Sequence, residues 1–593
     1  MTAIVSIRTA LLLAILATAL PSTRCGRSPR LPAGSNLLLI TVDTLRPDAL
    51  GWIAGGDGTP SIDRLAASGF RFRSAVAPVP LTLPSHTTIM TGLDPRRHGV
   101  RANGQVVPEG LPTLASTLRG AGYATAGFVS GFPLRSLFGL DAGFDRYDDD
   151  LPGGDEGWLE RPALETSRAA LEWIGQTSGP WFVWVHYYDP HSPYEPPRNF
   201  WRPGPRGSYE GEVSYADHAI GELLDGIPVA TAKRLLTVFT ADHGEAFGEH
   251  EERDHGLFLY DTTTLVPLVF HHPDGLGAGE SSLSPRLADL FPTVAELLGV
   301  PPPPDLDGVS LAPLLRGGSG EIPPAALETR YPWNTYGWAP LRALRTERFK
   351  LIDAPRVELY DLEADPGESN NIALDEPARV ASLMEELDRI DSVVAAESET
   401  VVDAEILEKL RGLGYVGGST NNPAPPDDLA DPKDRIAERD RLLAAESLLR
   451  SRRYSEALAI FDQVLAADPD NKFAMLRSGM AHLKNQNLTQ AVARLVAAVE
   501  LDPGQPEARY ALADALTRSN RFEEALPHWM ETVRLQPRRA AAWSNLGSTL
   551  AWSGRMDEAL DAYAHAAELD PDDPLLAQNL EAARDFARRS RAE

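Results

Sequence analysis

The stretch Asn36-Leu37-Leu38-Leu39-Ile40-Thr41-Val42-Asp43 decides the fold class of this 593-residue chain, because an apolar, strand-forming run is followed at once by a carboxylate. Two later apolar runs repeat the pattern: residues 235–240 lead to Asp242-His243, and residues 181–185 lead to His186. In open α/β sheets, ligands bind at the carboxyl ends of the strands. The pattern therefore predicts one functional site, assembled at that edge from distant segments.

Short apolar runs of this kind alternate with helical stretches between residues 36 and 390. The alternation is typical of a mostly parallel central sheet covered by helices on both faces, an α/β/α sandwich. The chain is also too long for one ordinary hydrophobic core. We therefore expect at least one further domain behind the sandwich.

A linker and a repeat region follow the sandwich. Residues 417–432 contain many helix breakers and no hydrophobic periodicity, so we place a linker at residues 401–437. Behind it, a proline and an alanine each recur every 34 residues, as Pro469, Pro503, Pro537 and Pro571 and as Ala457, Ala491, Ala525 and Ala559. This resembles the tetratricopeptide repeat, a pair of antiparallel helices ended by the proline. The resemblance implies an all-α solenoid over residues 438–593 and a protein partner for it.

The composition of the N-terminus predicts an export signal. Arg8 precedes an apolar run from Ala10 to Leu20, which is typical of a signal peptide and short for a bilayer span. We expect residues 1–25 to be a signal peptide or a membrane anchor, and the protein to be periplasmic or associated with the cell envelope. Contact with the membrane is expected only if this segment is retained. Cys25 is the only cysteine, which excludes an intramolecular disulfide and disfavours a thiolate zinc site.

The formal net charge of −28 disfavours nucleic acid as a partner, because phosphate binding relies on clustered lysine and arginine. An anionic substrate would therefore need a local positive site. A bound metal ion would supply one.

The segment Pro80-Leu81-Thr82-Leu83-Pro84-Ser85-His86 with Thr91-Gly92 resembles the signature of the sulfatase family, within the alkaline phosphatase superfamily. In that signature a cysteine or serine nucleophile precedes x-Pro-Ser-Arg; here Thr82 stands at the nucleophile position and His86 at the arginine. Further marks of the family are Val42-Asp43-Thr44-Leu45-Arg46, Asp189-Pro190-His191, Thr240-Ala241-Asp242-His243-Gly244-Glu245, His255-Gly256 and Leu359-Tyr360-Asp361. The resemblance implies an alkaline-phosphatase-like catalytic domain at residues 36–400 and an ester hydrolase.

The resemblance also implies one divalent metal ion, with Asp43, Asp242, His243 and the Thr82 hydroxyl as its ligands. A hydroxyl is a poor nucleophile at neutral pH, and binding to a cation lowers its pKa. The mixed oxygen and nitrogen donors favour Mn²⁺ or Zn²⁺ over Ca²⁺, which we keep as a third choice.

The predicted catalytic residues are Thr82, His191, His255 and His86, and the three histidines are also predicted to contact the substrate. His191 and His255 match family positions that contact the transferred anion or the leaving group, and either histidine can protonate the departing oxygen. Two readings of Glu245 stay open: it orients His243, or it faces solvent. We interpret His186 and His98 as structural.

Several positions depart from the sulfatase pattern. Sulfatases convert their cysteine or serine to formylglycine, a route that Thr82 does not offer. Thr44 replaces the usual second aspartate, and a family Lys-x-His pair that grips sulfate falls on Ser130 and Phe132. These changes favour a phosphodiester or phosphonate ester as substrate and a phosphothreonine intermediate, while the family label remains that of a sulfuric ester hydrolase.

Two alternatives stay open at this point. A phosphoglycerol-type transferase would pass the phosphothreonine to an alcohol rather than to water. A catalytically idle scaffold would use only the repeat region, to bind proteins. The presence of all the predicted catalytic and metal-binding residues favours an enzyme.

Overall fold

The computed structural model describes residues 31–151, 160–392, 395, 398, 428–537, 539–571 and 573–590. The predicted signal segment at residues 1–25 lies outside these ranges, as does most of the predicted linker. Of the helices that are described, none is both long and apolar enough to cross a membrane.

An eight-stranded sheet forms the centre of the catalytic domain, with the order β4-β3-β5-β1-β6-β7-β2-β8. Its five strands from β4 to β6 are all parallel, whereas β7 runs antiparallel to β6 and β2. The predicted mostly parallel sheet is therefore confirmed. The strands are β1 Asn36–Val42, β2 Phe70–Val76, β3 Ala124–Phe128, β4 Arg146–Asp148, β5 Trp181–Tyr187, β6 Leu235–Ala241, β7 Leu265–His271 and β8 Gly279–Ser281.

The three central strands, β5, β1 and β6, are buried along their whole length. Strands covered on both faces by helices are expected to be apolar throughout rather than alternating, which is what these runs show. The longer helices of this domain are Pro60–Ser68, Thr82–Thr91, Leu114–Gly120, Ala163–Gln176, Pro205–Gly226 and Leu290–Leu298.

A second sheet completes the catalytic domain. It is four-stranded and antiparallel, with the order β12-β11-β10-β9. Its strands are β9 Ala325–Thr329, β10 Leu341–Arg345, β11 Phe349–Asp353 and β12 Glu358–Asp361, and the helix Pro377–Ile390 follows. The Leu359-Tyr360-Asp361 motif thus belongs to this smaller sheet.

The tail is helical from Ile436 onward, within the described residues. Its helices are Ile436–Arg450, Tyr454–Ala467, Lys472–Lys484, Leu488–Leu501, Pro506–Arg518, Phe522–Leu535, Ala540–Trp552, Met556–Leu569 and Pro574–Ser590. The repeated alanines Ala457, Ala491, Ala525 and Ala559 are fully buried, as close helix packing requires. The predicted all-α solenoid is confirmed.

The tail packs directly on the catalytic domain. One apolar cluster contains Leu257, Tyr336 and Trp338 from the catalytic domain together with Phe461 and Phe473 from the tail. The stretch just before the first tail helix, within the predicted linker, is also docked, because the backbone N–H of residue 339 donates to the carbonyl of residue 430 at 2.9 Å.

Candidate active site

Thr82 is the first residue of the buried helix Thr82–Thr91, which ends at Gly92 in the left-handed conformation that favours glycine. Two side-chain contacts anchor the start of this helix: Asn103 Oδ1 accepts from the Leu83 N–H at 2.8 Å, and the Ser85 hydroxyl donates to the Asp242 carbonyl at 2.7 Å. A helix N-terminus carries partial positive charge. The fully buried Thr82 therefore lies at the positive end of the helix dipole.

Asp43, Asp242 and His243 meet at the carboxyl edge of the sheet. Asp43 follows β1 and Asp242 follows β6, two strands paired in parallel so that Val42 is opposite Ala241. His243 Nε2 lies 3.8 Å from Asp43 Oδ1 and 3.5 Å from Asp242 Oδ2. One ligand atom from each of the three buried residues lies within 4.8 Å of the others.

These three side chains fit a divalent cation. Within the described part of the chain, both Asp43 oxygens, Asp242 Oδ2 and His243 Nε2 have no hydrogen-bond partner, although all are buried. His243 Nδ1 bonds the Gly244 carbonyl at 2.9 Å, so it carries the proton and Nε2 keeps its lone pair. Buried polar groups are rarely left unmet. The convergence of two carboxylates and one imidazole lone pair is the donor set that such an ion requires.

The pKa values of the Asp43 and Asp242 carboxyls are both raised, which agrees with a cation-binding site. Burial, the Asp242 charge and the Glu245 charge hold the pKa of Asp43 well above its usual value. Burial raises the pKa of Asp242 to about 7, against the hydrogen bonds from the backbone of His243 and Thr44. Two buried carboxylates side by side repel each other, and a cation between them would relieve the repulsion.

The two threonines of the site differ in orientation. The Thr82 side chain lies close enough to Asp43 to lower the pKa of that carboxyl. The Thr44 hydroxyl instead donates to the Pro190 carbonyl at 2.9 Å, while the Thr44 N–H donates to Asp242 Oδ1 at 3.2 Å. The side chain at position 44 therefore points away from the carboxylates and adds no charge to them.

His255 is paired with Glu245. His255 Nδ1 lies 3.1 Å from Glu245 Oε1, and the Tyr194 hydroxyl donates to Glu245 Oε2 at 2.9 Å. Burial lowers the pKa of His255, but the charge and hydrogen bond of Glu245 outweigh it, so the pKa is raised. Both readings of Glu245 from the sequence are thus replaced, because this buried carboxylate orients His255 rather than His243 and does not face solvent.

His191 completes a row of imidazoles. The ring centroids of His243 and His255 lie 4.4 Å apart, and those of His255 and His191 lie 5.2 Å apart. The His191 ring stacks on Tyr188 at 4.5 Å, and its Nδ1 bonds the Ser192 carbonyl at 2.7 Å. Burial and the neighbouring His255 lower the pKa of His191 to about 3, so it is neutral at physiological pH.

His86 has a different environment from the one expected. Its Nδ1 bonds the Thr82 carbonyl at 2.8 Å and its Nε2 lies 3.1 Å from the Thr41 hydroxyl, which also accepts from Trp184 Nε1 at 3.0 Å. Both ring nitrogens are therefore engaged within the protein, and burial lowers the pKa of His86 to about 4. These bonds fit an anchor for the helix Thr82–Thr91 and do not fit the predicted contact with substrate.

His186 and His98, both interpreted as structural from the sequence, have different environments. Both His98 nitrogens are bonded, Nε2 to the Thr88 hydroxyl and Nδ1 to the Val100 N–H, each at 3.1 Å, which fits a structural role. His186 Nε2 lies 3.5 Å from Asp43 Oδ2, and neither of its ring nitrogens has a hydrogen-bond partner among the described residues. The signal for this proximity is that His186 is the last but one residue of β5, in register with Thr41 of β1.

The positions of the family's sulfate-gripping pair are occupied by uncharged groups in structural roles. The Ser130 hydroxyl donates to the His186 carbonyl and accepts from the Tyr188 N–H, both at 2.8 Å. Phe132 is buried in the apolar core. Neither side chain adds positive charge for an anion.

Comparison with family models divides the chain as the sequence predicts. Residues 35–300 match the model described as Sulfatase, and residues 248–392 match that of N-sulphoglucosamine sulphohydrolase, C-terminal. Residues 442–506, 476–531 and 510–574 match the tetratricopeptide repeat. The predicted combination of domains is confirmed.

Individual relatives are distant. The Delta 4,5-hexuronate-2-O-sulfatase of Bacteroides thetaiotaomicron is 26% identical over 424 residues, which are 59% of this chain and 87% of that protein. The phosphonate monoester hydrolase of Agrobacterium radiobacter superposes with a TM-score of 0.52 at 23% identity, over 60% of this chain and 95% of that one. A protein solved in complex with its substrate D-glucosamine-2-N,6-O-disulfate superposes with a TM-score of 0.52 at 22% identity, over 60% of this chain and 97% of that one. The two structures support the predicted fold.

Proposed function

Because this chain belongs to the sulfatase family of hydrolases and carries tetratricopeptide repeats behind its catalytic domain, we propose that it hydrolyses a phosphodiester or phosphonate ester with Thr82 as nucleophile. Asp43, Asp242 and His243 would hold one divalent cation beside Thr82. His255 would be the general acid, and His191 would contact the transferred group.

The observation that carries the proposal is the environment of Thr82. A threonine stands at the N-terminus of a buried helix, beside Asp43 and its two unsatisfied oxygens. Threonine does not give the aldehyde on which the sulfatase reaction depends, so the hydroxyl itself must attack. A hydroxyl that attacks an ester forms a covalent ester in turn, which here is a phosphothreonine.

The reaction follows from the positions of the side chains. A divalent cation, when bound, would lower the pKa of the Thr82 hydroxyl and offset the charge of the two carboxylates. Thr82 Oγ1, its proton lost to solvent, attacks phosphorus while the bond to the leaving oxygen breaks, and the protonated His255 gives its Nε2 proton to that oxygen. Glu245 keeps the imidazolium available by raising the pKa of His255. Water then attacks the phosphothreonine, gives one proton back to His255 Nε2 and leaves its oxygen on phosphorus as a hydroxyl, while Thr82 departs as the alkoxide with which the cycle began.

The loss of the family's sulfate-gripping pair supports phosphorus over sulfur as the reacting centre. Ser130 and Phe132 stand where sulfatases carry a lysine and a histidine, and Ser130 is committed to the β5 backbone. The charge that meets the anion is then left to the cation, to His255 and to the helix N-terminus. The likeness to a phosphonate monoester hydrolase is of fold and is consistent with this choice.

Hydrolysis of a sulfuric ester is the second candidate. It is favoured by the curated relatives, which include a hexuronate sulfatase and a choline-sulfatase. In that case Thr82 would form a threonine sulfate, without an aldehyde.

The remaining parts of the proposal concern location and partner. The apolar N-terminal run supports export to the periplasm or cell envelope, and the repeats support binding of a protein.

The test is a substrate panel on the protein from residue 31 onward. The protein is stripped of metal, reloaded with Mn²⁺, Zn²⁺ or Ca²⁺, and assayed with an aryl sulfate, a phosphate monoester, a phosphodiester and a phosphonate ester. We expect metal-dependent turnover of the phosphodiester or the phosphonate, lost in Thr82→Ala. Turnover of the sulfate alone would overturn the choice of phosphorus. Transfer to an added alcohol in preference to water would identify a transferase, and failure to turn over any ester with metal bound would favour the scaffold.

A further inference from the structure

The tail contributes a buried arginine to the part of the catalytic domain that carries His255. Arg439 lies on the first tail helix, Ile436–Arg450, and its side chain is only 2% exposed. Its guanidinium forms an ion pair with Asp254, the residue before His255. A charge this deeply buried is stable only when it is paired and hydrogen-bonded. The pair therefore fixes Asp254 to the tail.

Aromatic residues of the catalytic domain enclose the same guanidinium. Burial lowers the pKa of Arg439, but Asp254, Tyr336 and Tyr331 raise it well above the usual value. Phe473 of the tail contacts the Tyr336 ring, with centroids 5.7 Å apart, and Lys472 Nζ lies 4.0 Å from the Trp333 ring centroid. The ion pair thus sits inside a packed interface.

The segment that Asp254 begins leads directly to the nucleophile. Gly256 has a φ of +97°, and a Cβ at that position would lie 3.3 Å from Leu81 Cδ2, beside Thr82. On the other side the Thr329 hydroxyl donates to the Gly256 carbonyl at 2.6 Å, and the Ala246 N–H donates to the Asp254 carbonyl at 3.0 Å. Residues 254–256 are therefore held between the nucleophile helix and the tail interface, with His255 in the middle.

We propose that Arg439 is a positioning residue of the active site: by holding Asp254, it keeps His255 in line with the leaving group of an ester bound at Thr82. The inference rests on the proposed role of His255 as general acid. It makes the first tail helix a structural part of the catalytic centre. A partner bound to the repeats would then be able to change the rate of hydrolysis through this helix.

A purely structural ion pair would behave differently, which gives the test. If Arg439 only stabilises the interface, its loss lowers turnover of every substrate by the same factor. If Arg439 positions the general acid, its loss lowers the rate most for esters of alkyl alcohols, which are poor leaving groups without a proton. The rate falls least for nitrophenyl esters, because nitrophenolate is a good leaving group as an anion. The dependence of rate on the leaving group therefore separates the two roles.

The variants are Arg439→Met, Asp254→Asn and the double variant, in the metal-loaded full chain. The control is Arg477→Met, which breaks a buried ion pair inside the tail and leaves residues 254–256 unchanged. In that pair, Arg477 Nη2 lies 2.6 Å from Glu446 Oε2. kcat and KM are measured for aryl and alkyl esters of the class that the wild type hydrolyses. We expect Arg439→Met and Asp254→Asn each to lower kcat for alkyl esters about tenfold more than for nitrophenyl esters, with KM little changed. The losses in the double variant should not add.

His255→Ala distinguishes the failures. If this variant loses all esters equally, the proposed general acid is wrong. If His255→Ala is selective for alkyl esters while both Arg439→Met and Asp254→Asn are uniform, or no different from Arg477→Met, the positioning role of Arg439 is overturned. Should Arg439→Met fail to fold, Asp254→Asn with the thermal unfolding temperature as a check decides the matter alone.

Discussion

The polar groups at the edge of the sheet and the repeated arginine–glutamate pairs of the tail have opposite environments. At the edge, Asp43, Asp242 and His243 are buried with oxygen and nitrogen atoms that meet no hydrogen-bond partner among the described residues. Along the tail, an arginine just before the second helix of three repeats is paired to a glutamate three residues on. This pair recurs as Arg453–Glu456, Arg521–Glu524 and Arg555–Glu558, at 2.5 to 2.6 Å and largely exposed.

The difference separates side chains that can bind a cation from side chains that only solvate the ends of the helices. An exposed pair on a helix is solvated in any case and contributes little. Buried carboxylates that face one another reduce stability unless something binds them. The edge of the sheet therefore loses stability unless it binds a cation, whereas each of these exposed pairs is satisfied by its partner and by solvent.

The largest expected effect is that of Thr82→Ala, which removes the nucleophile. We expect turnover to fall about 10³-fold or more, because a missing nucleophile is not replaced by a neighbouring group. The control is Thr87→Ala on the same buried helix, whose hydroxyl donates only to the Leu83 carbonyl and should leave turnover within a few-fold of wild type. Steady-state rates decide, and residual activity in Thr82→Ala close to that of the control would refute the assignment.

Asp43→Asn should separate stability from function at the edge of the sheet. In metal-free protein the substitution removes a carboxyl that must take up a proton or bury its charge when the chain folds, so the free energy of unfolding should rise by roughly 1–4 kcal/mol. The same variant should lose the increase in unfolding temperature that added Mn²⁺ or Zn²⁺ gives to the wild type. Calorimetry with and without metal measures both changes. A variant that is less stable than wild type without metal, or equally stabilised by metal, would break the comparison.

His98 gives a smaller, pH-dependent effect. Burial lowers its pKa to about 3, so the unfolded chain binds this proton near pH 6.5 while the folded chain does not. Stability from the neutral imidazole is thus complete above pH 6.5 and is lost as the pH falls towards 3. In His98→Asn, the free energy of unfolding should fall less steeply in this window, by up to about 1.4 kcal/mol per pH unit. Denaturant melts across the window test this, and an unchanged slope would contradict it.

The smallest effect is expected in the tail. Arg521→Ala breaks an exposed pair with Glu524, and neither turnover nor the unfolding temperature should change measurably. A clear loss of either would mean that the repeated pairs do more than solvate the helix ends, and the contrast with the edge of the sheet would weaken.

Much of the fold follows from local patterns. The runs that became β1, β5 and β6 are apolar throughout because both of their faces are covered, and the 34-residue spacing fixes the repeats before any contact is known. The docking of the tail has no such signal. In the sequence, Arg439 is indistinguishable from an ordinary solvent-exposed charged residue on a helix. Only the three-dimensional structure shows that Arg439 is buried and paired with Asp254.

The site divides in the same way. Asp43 and Asp242 follow neighbouring parallel strands, so their convergence is a consequence of the strand order. The pairing of Glu245 with His255 and that of His86 with Thr41 depend on how a loop and a helix from other segments cross that edge. The hydrophobic periods of two residues in strands and 3.6 residues in helices show which face of an element is buried. They do not show the path of a loop, so those contacts were not predictable from the sequence.

The stereochemistry of hydrolysis tests the central claim most directly. A phosphodiester made chiral at phosphorus, with sulfur and isotopic oxygen, is hydrolysed by the metal-loaded enzyme in labelled water, and the configuration of the product is determined. Attack by Thr82 followed by attack of water gives two in-line displacements, each of which inverts phosphorus, so we predict net retention. Net inversion would mean that water attacks the substrate directly, and Thr82 would not be the nucleophile.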